Sequence, residues 1–152
     1  MFTSLVGKCV LIVDDDDGMR ALIRRMLNRM RIENIVEAAS ARQALERMEQ
    51  PTSAAFDLII CDWNMPEMSG IDLFTKVHAK SPDLPFLMLT CRDDAQSVIA
   101  AKNAGVAAYI VKPVAPAELQ AKIRFLAAPS NWRATTGRTF APVPGTRDIA
   151  DG

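Results

Sequence analysis

Five apolar residues, Cys9-Val10-Leu11-Ile12-Val13, run directly into four acids, Asp14-Asp15-Asp16-Asp17. A run this short, without polar alternation, reads as a strand covered on both faces, as strands of parallel sheets are. Behind it, Asp16 to Met30 places Met19, Leu22, Ile23, Met26, Leu27 and Met30 on one face at helical spacing, so a helix follows the strand. The alternation then repeats. Ile35 to Ala38 precedes a helix from Ala41 to Met48, entered through Ser40 and Gln43 as a capping box, and Leu58 to Cys61 precedes a helix from Ile71 to Ala79. Phe86 to Leu89 leads to a helix from Asp94 to Ala104 that Gly105 stops, and Ala108 to Val111 leads to a last helix from Pro116 to Ala127. Five strand–helix units predict an α/β chain with a doubly wound, five-stranded parallel sheet, right-handed crossovers and helices on both faces.

The 152 residues suffice for one well-buried domain, and 49% apolar with 24% charged residues is the balance of a globular chain. Eighteen Lys and Arg offset eighteen Asp and Glu, leaving no overall basic field for nucleic acid or an anionic membrane. Cys9, Cys61 and Cys91 form no C-x-x-C pair and lie within apolar runs, which fits a reducing compartment, the cytoplasm. Cys9 to Val13 is too short for a signal-peptide core, and no uninterrupted apolar stretch approaches the roughly 18 residues of a membrane span, so a soluble protein is expected. From Pro129 the periodicity stops, broken by Gly137, Pro142, Pro144 and Gly145. The expected organisation is a single domain over 1–128 and a flexible tail over 129–152, with Trp132 and Phe140 as its only anchors.

Parallel strands end at one sheet edge, where open α/β sheets bind ligands. Four of the five strand ends carry chemistry: Asp14 and Asp15, Asp62, Thr90 and Lys112. Each has a bland reading. Asp16 and Asp17 are accounted for as cap and first turn of a helix, and Asp14 and Asp15 read equally well as an acidic turn. Asp62 could open the Asn64-Met65-Pro66 turn, a lone Thr90 is ordinarily a satisfied hydroxyl, and a lone Lys112 a solvated charge. Their convergence on one edge changes the balance. Neighbouring carboxylates repel unless a hard divalent cation such as Mg²⁺ neutralises them, and Lys112 and Thr90 suit the oxygens of a phosphoryl group. Phosphoryl chemistry with a carboxylate nucleophile is the expectation.

Val13-Asp14-Asp15-Asp16, Asp62-Trp63-Asn64-Met65-Pro66 with Gly70, Leu89-Thr90 and Tyr109-Ile110-Val111-Lys112-Pro113 resemble, in order and spacing, the receiver domain of two-component response regulators, nearest to the stand-alone chemotaxis type. The resemblance spans Lys8 to Ala127 and implies a flavodoxin-like sheet in the order 2-1-3-4-5. It further implies a phosphorylation-dependent switch. Asp62 would take a phosphoryl group from a phosphohistidine of a sensor kinase or phosphotransfer protein, and later self-dephosphorylate. Asp15, Asp62 and the main-chain carbonyl of Asn64 would hold Mg²⁺, with Asp14 acting through a water. Lys112 would pair with the phosphoryl oxygens, Thr90 would shift toward them, Tyr109 would turn inward, and an output protein would bind the face of helix four, strand five and helix five. A cis peptide between Lys112 and Pro113 is also implied. The protein would then be a phosphoacceptor and not a turnover enzyme.

Two positions beyond Asp62 and Thr90 stand Asn64 and Arg92, the expected tuners of dephosphorylation: Asn64 can orient a water, whereas Arg92 cannot accept a proton and would slow the reaction. Arg20, Arg24, Arg25, Arg29 and Arg31 line the polar side of helix one and read as a solvated face, with contact to an acidic phosphodonor as the sharper alternative. Two rival functions follow from the same residues. A haloacid-dehalogenase-type phosphatase would use Asp14 and Asp16, and a receiver-like interaction module would dispense with phosphate.

Overall fold

The computed structural model describes residues 7–50, 56–90 and 95–127, and within helix four the side chains of Gln96, Ile99 and Lys102–Ala104. Asp94, Cys91, Arg92 and the segment expected to form the tail lie outside the described residues. The order is β1 (Cys9–Val13), α1 (Asp17–Arg29), β2 (Asn34–Ala38), α2 (Ala41–Glu49), β3 (Leu58–Asp62), α3 (Gly70–Lys80), β4 (Phe86–Thr90), α4 (Ala95–Ala104), β5 (Ala108–Val111) and α5 (Pro116–Ala127). All four strand pairings are parallel, in the order β2-β1-β3-β4-β5.

Strand periodicity sorts the apolar residues into two cores. Val10, Ile12, Ile60, Leu87, Leu89 and Ile110 face α1 and α5, against Ile23, Leu27, Leu119, Ile123 and Leu126. Their alternates Leu11, Val13, Ile59, Cys61, Phe86 and Met88 face α2 and α3, against Ala41, Ala44, Leu73, Phe74 and Val77. Each fully buried aliphatic side chain contributes about 1.5–3 kcal/mol, an upper bound because denatured chains already bury some surface. The one strand that departs from the two-sided expectation is β2, where Asn34 is exposed and Ile35 to Glu37 are half-buried. It is an edge strand, and an edge needs one fewer covered flank.

Local chemistry sets the element boundaries. Helix α1 starts one residue later than the periodicity predicts because Asp16 is its N-cap, accepting from Gly18 N–H at 2.9 Å and Met19 N–H at 3.3 Å. The capping box at α2 is offset: Ser40 Oγ accepts from Gln43 N–H at 3.1 Å, but Gln43 Oε1 reaches back to the N–H of Ala39, at 2.9 Å. Gly105, with φ at +94°, ends α4 as expected. Asp62 and Thr90 belong to the sheet and are not merely loop residues beyond it.

Register carries this order to the functional edge. Val13 pairs with Cys61, Asp62 with Leu89, and Thr90 with Val111. Asp14, Asp62, Thr90 and Lys112 therefore emerge in phase along one rim.

Candidate functional site at the carboxyl edge of the sheet

Asp14, Asp62 and Thr90 are buried, at 1%, 4% and 3% exposure, while Asp15 and Asn64 are exposed at the rim. One carboxylate oxygen from each of Asp14, Asp15 and Asp62 lies within 4.8 Å of the other two, a cluster able to hold a metal ion. The Lys112 ammonium stands 2.8 Å from Asp62 Oδ1 and 3.9 Å from Asp14 Oδ2. Its peptide N–H is tied to the Thr90 carbonyl at 2.8 Å, and the bond into Pro113 is cis. The lysine is thus held on the side of the acids facing β4.

The charges do not balance. Asp14 Oδ2 and Asp62 Oδ1 are buried without a hydrogen-bond partner among the described residues; Lys112 gives Asp62 an ion pair, not an aligned hydrogen bond. Burial, followed by the repulsion of Asp62 and Asp15, pushes the Asp14 carboxyl up to about 6, against the Asp16 N–H that Asp14 Oδ1 accepts at 2.9 Å and the attraction of Lys112. A hard cation that prefers oxygen ligands would satisfy both orphaned atoms, so the donor set fits Mg²⁺.

The loop after β3 depends on Gly70. Its N–H donates to the Trp63 carbonyl at 2.8 Å, and a Cβ there would lie 2.4 Å from the Asp62 carbonyl oxygen, 2.9 Å from Met88 Sδ and 3.0 Å from Trp63 Cα. Close backbone approach explains the glycine. On the far face, Tyr109 is 9% exposed and belongs to the core opposite Ile110, as strand alternation requires. The Lys122 ammonium of α5 lies 5.9 Å from its ring centroid.

Arg92 lies outside the described residues. Asp16, the second acid that a phosphatase of the haloacid-dehalogenase type would use, is engaged as the helix cap, accepting from Gly18 and Met19 N–H. The helix-one arginines are not one solvated stripe: Arg25 and Arg29 are exposed and Arg31 lies beyond the helix, but Arg20 and Arg24 are drawn onto Glu37 of β2, at 2.9 and 2.7 Å. The reason is the edge strand, whose half-buried Glu37 needs cations. The signal in the sequence was an acid inside an otherwise apolar strand opposite basic residues four apart on a helix.

Residues 10–124 match the response regulator receiver domain family. Among curated proteins, the chain is 40% identical over 116 residues to chemotaxis protein CheY1 of Helicobacter pylori, covering 75% of this chain and 92% of that protein. It is 38% identical to a CheY homolog of Campylobacter jejuni, covering 75% and 88%. Among solved structures, a response regulator from Chloroflexus aurantiacus superimposes with a TM-score of 0.72 at 32% identity, covering 80% and 98% of the two chains. The response regulator TrrA from Thermotoga maritima, solved with Mg²⁺ and BeF, does so at 0.65 and 28%, covering 76% and 96%. No described helix is long and apolar enough to cross a membrane. With the matched sequence, the parallel sheet and the acidic rim in agreement, the chain belongs to the response regulator receiver domain family and is a phosphorylation-dependent signalling switch.

Proposed function

We propose that Asp62 is the phosphoacceptor, with Asp14, Asp15, Asp62, Thr90 and Lys112 as the machinery that loads it. The observation that carries this reading is the buried Asp62 Oδ1 beside Asp14, which has no hydrogen-bond partner among the described residues and is faced by the Lys112 ammonium at 2.8 Å. The carboxylate oxygen of Asp62 forms the new bond to phosphorus, and the bond from phosphorus to the donor imidazole nitrogen breaks, the imidazole leaving with the electron pair and regaining a proton. Lys112 and the Thr90 hydroxyl receive the phosphoryl oxygens. Asp15, Asp62 and the Asn64 carbonyl would hold Mg²⁺ directly and Asp14 through a water; when bound, the ion supplies charge neutralisation for the acids and the transferred group.

The donor is a phosphohistidine on a sensor kinase or phosphotransfer protein, and the protein acts in the cytoplasm as a switch. It is consumed and regenerated once per phosphoryl group, by hydrolysis of its own adduct, and is not a turnover phosphatase. Asn64, exposed at the rim, is suited to orient the attacking water. Tyr109 couples the rim to an output protein on the face of α4, β5 and α5. The test is intact mass after incubation with a small acyl phosphate. One phosphate is expected with Mg²⁺ and none with EDTA or in Asp62→Asn; an adduct that persists in Asp62→Asn would overturn the assignment.

A further inference from the structure

Arg20 is bonded in three directions. Its Nε donates to Glu37 Oε1 at 2.9 Å, its Nη1 to the main-chain carbonyl of Asp14 at 2.6 Å, and its Nη2 to Asp17 Oδ1. The side chain is only 13% exposed. On the other side of Asp14, the peptide N–H donates to the Ala38 carbonyl of β2 at 3.1 Å. Glu37 is itself fixed, by Arg24 Nε at 2.7 Å on its second carboxylate oxygen and by Arg47 Nε at 2.9 Å on its carbonyl.

The Asp14 carbonyl belongs to the peptide unit that joins Asp14 to Asp15. Peptide units are planar, so a grip on that oxygen, together with the Asp14 N–H held by Ala38, restricts rotation of the unit about its two Cα atoms and so narrows the ψ of Asp14 and φ of Asp15 that set where the two side chains leave the chain. One of these residues is buried and the other exposed, yet both place a carboxylate oxygen within 4.8 Å of Asp62. That arrangement requires the peptide to hold one orientation. A planar guanidinium with a fixed fork of donors can enforce it, whereas a lysine ammonium on a flexible stem cannot span three separate acceptors.

We propose that Arg20 is a positioning residue for the metal site: by gripping the Asp14–Asp15 peptide and anchoring it to Glu37 of β2, it keeps both carboxylates directed at Asp62. The inference rests on the metal site proposed above. Its sign separates it from a plain charge effect. A guanidinium beside the acids repels Mg²⁺, so if charge were its whole contribution, removing it would tighten binding. Positioning demands the reverse.

The experiment titrates Mg²⁺ against the full chain carrying Trp132→Phe, following the fluorescence of Trp63, which adjoins Asp62, with thermal melting of each variant in EDTA as the measure of folding. Arg20→Ala is expected to weaken Mg²⁺ binding about tenfold, in the range found when outer-shell partners of metal ligands are removed. Arg20→Lys, which keeps the charge and loses the fork, is expected to remain several-fold weaker than the parent, so the inference stays testable should Arg20→Ala fail to fold. Arg24→Ala removes the same charge and the tie to the second carboxylate oxygen of Glu37 but no tie to Asp14, and is expected to bind Mg²⁺ within about twofold of the parent. Equal or tighter binding by Arg20→Ala, full affinity in Arg20→Lys, or an equal loss in Arg24→Ala would each overturn the proposal. Failure of the parent protein to bind Mg²⁺ would overturn the metal site itself, and this inference with it.

Discussion

At the ends of β1 and β3, Asp14 and Asp62 are buried beside one another, each with a carboxylate oxygen that has no hydrogen-bond partner among the described residues, while on α5 Lys122 is only 1% exposed, with Glu118 at 3.2 Å and the Tyr109 ring at 5.9 Å. Both regions take charge out of water, in opposite ways. Lys122 has its countercharge one helical turn back, and a ring face to lie near. Burial still draws its pKa down, and Glu118 opposes that shift. The acids gather like charges around one lysine and push the Asp14 carboxyl up to about 6. A satisfied buried charge is structural, whereas an unsatisfied group of buried charges at a sheet edge stores repulsion that a ligand relieves.

The contrast breaks most sharply on phosphorylation. Asp62→Asn is expected to lose phosphoryl incorporation altogether, whereas Lys122→Met is expected to keep it, both read by intact mass. Stability moves the other way. Lys122→Ala should lower the unfolding free energy by about 2–3 kcal/mol in urea melts, because it opens a cavity under Tyr109, while Lys122→Met fills the same volume and should stay within about 1 kcal/mol of the parent. A large loss in Lys122→Met would mean that the charge, and not the packing, matters there.

A smaller effect of opposite sign is expected at the acids. In EDTA at pH 7, Asp14→Asn should stabilise the protein by about 1 kcal/mol, because it removes a buried repulsive charge and leaves an oxygen to accept the Asp16 N–H. The pH dependence follows from the raised carboxyl. A folded-state value of about 6 lies above the unfolded value near 4, so the folded protein binds more protons between them and stability falls as pH rises through that window. The advantage of Asp14→Asn over the parent should therefore shrink from pH 7 to pH 5 and disappear near pH 4. With saturating Mg²⁺ the ordering should reverse, since the parent gains a ligand that the variant holds less well. The smallest expected change is Glu118→Gln, at about 0.5 kcal/mol, because Glu118 is one-third exposed and water screens the pair.

Sequence reading reached the element order, both ends of β5 and α5, the caps at Asp16 and Ser40, and the strand ends that carry Asp14, Asp62, Thr90 and Lys112. These are matters of local period and of which residue follows an apolar run, so a chain read in order contains them. The strand order itself came from the family resemblance, because five strands with helical crossovers are compatible with more than one order.

What the sequence determined alone, then, was the alternation of strands and helices and the identity of the polar groups at their ends, since both depend on neighbours in the chain. Only the tertiary structure decided that Arg20 grips Asp14 and Glu37, that Lys122 is buried while Lys80 is not, and that Asp14 and Asp62 share one cluster with Lys112. Helical period placed Arg20 and Arg24 on a polar face, yet the packing of α1 beside edge strand β2 brought Glu37 to them. Apart from the short step between Arg20 and Asp14, such pairings join residues 13 to 98 positions apart, and their distances depend on strand order and register, which no local pattern carries.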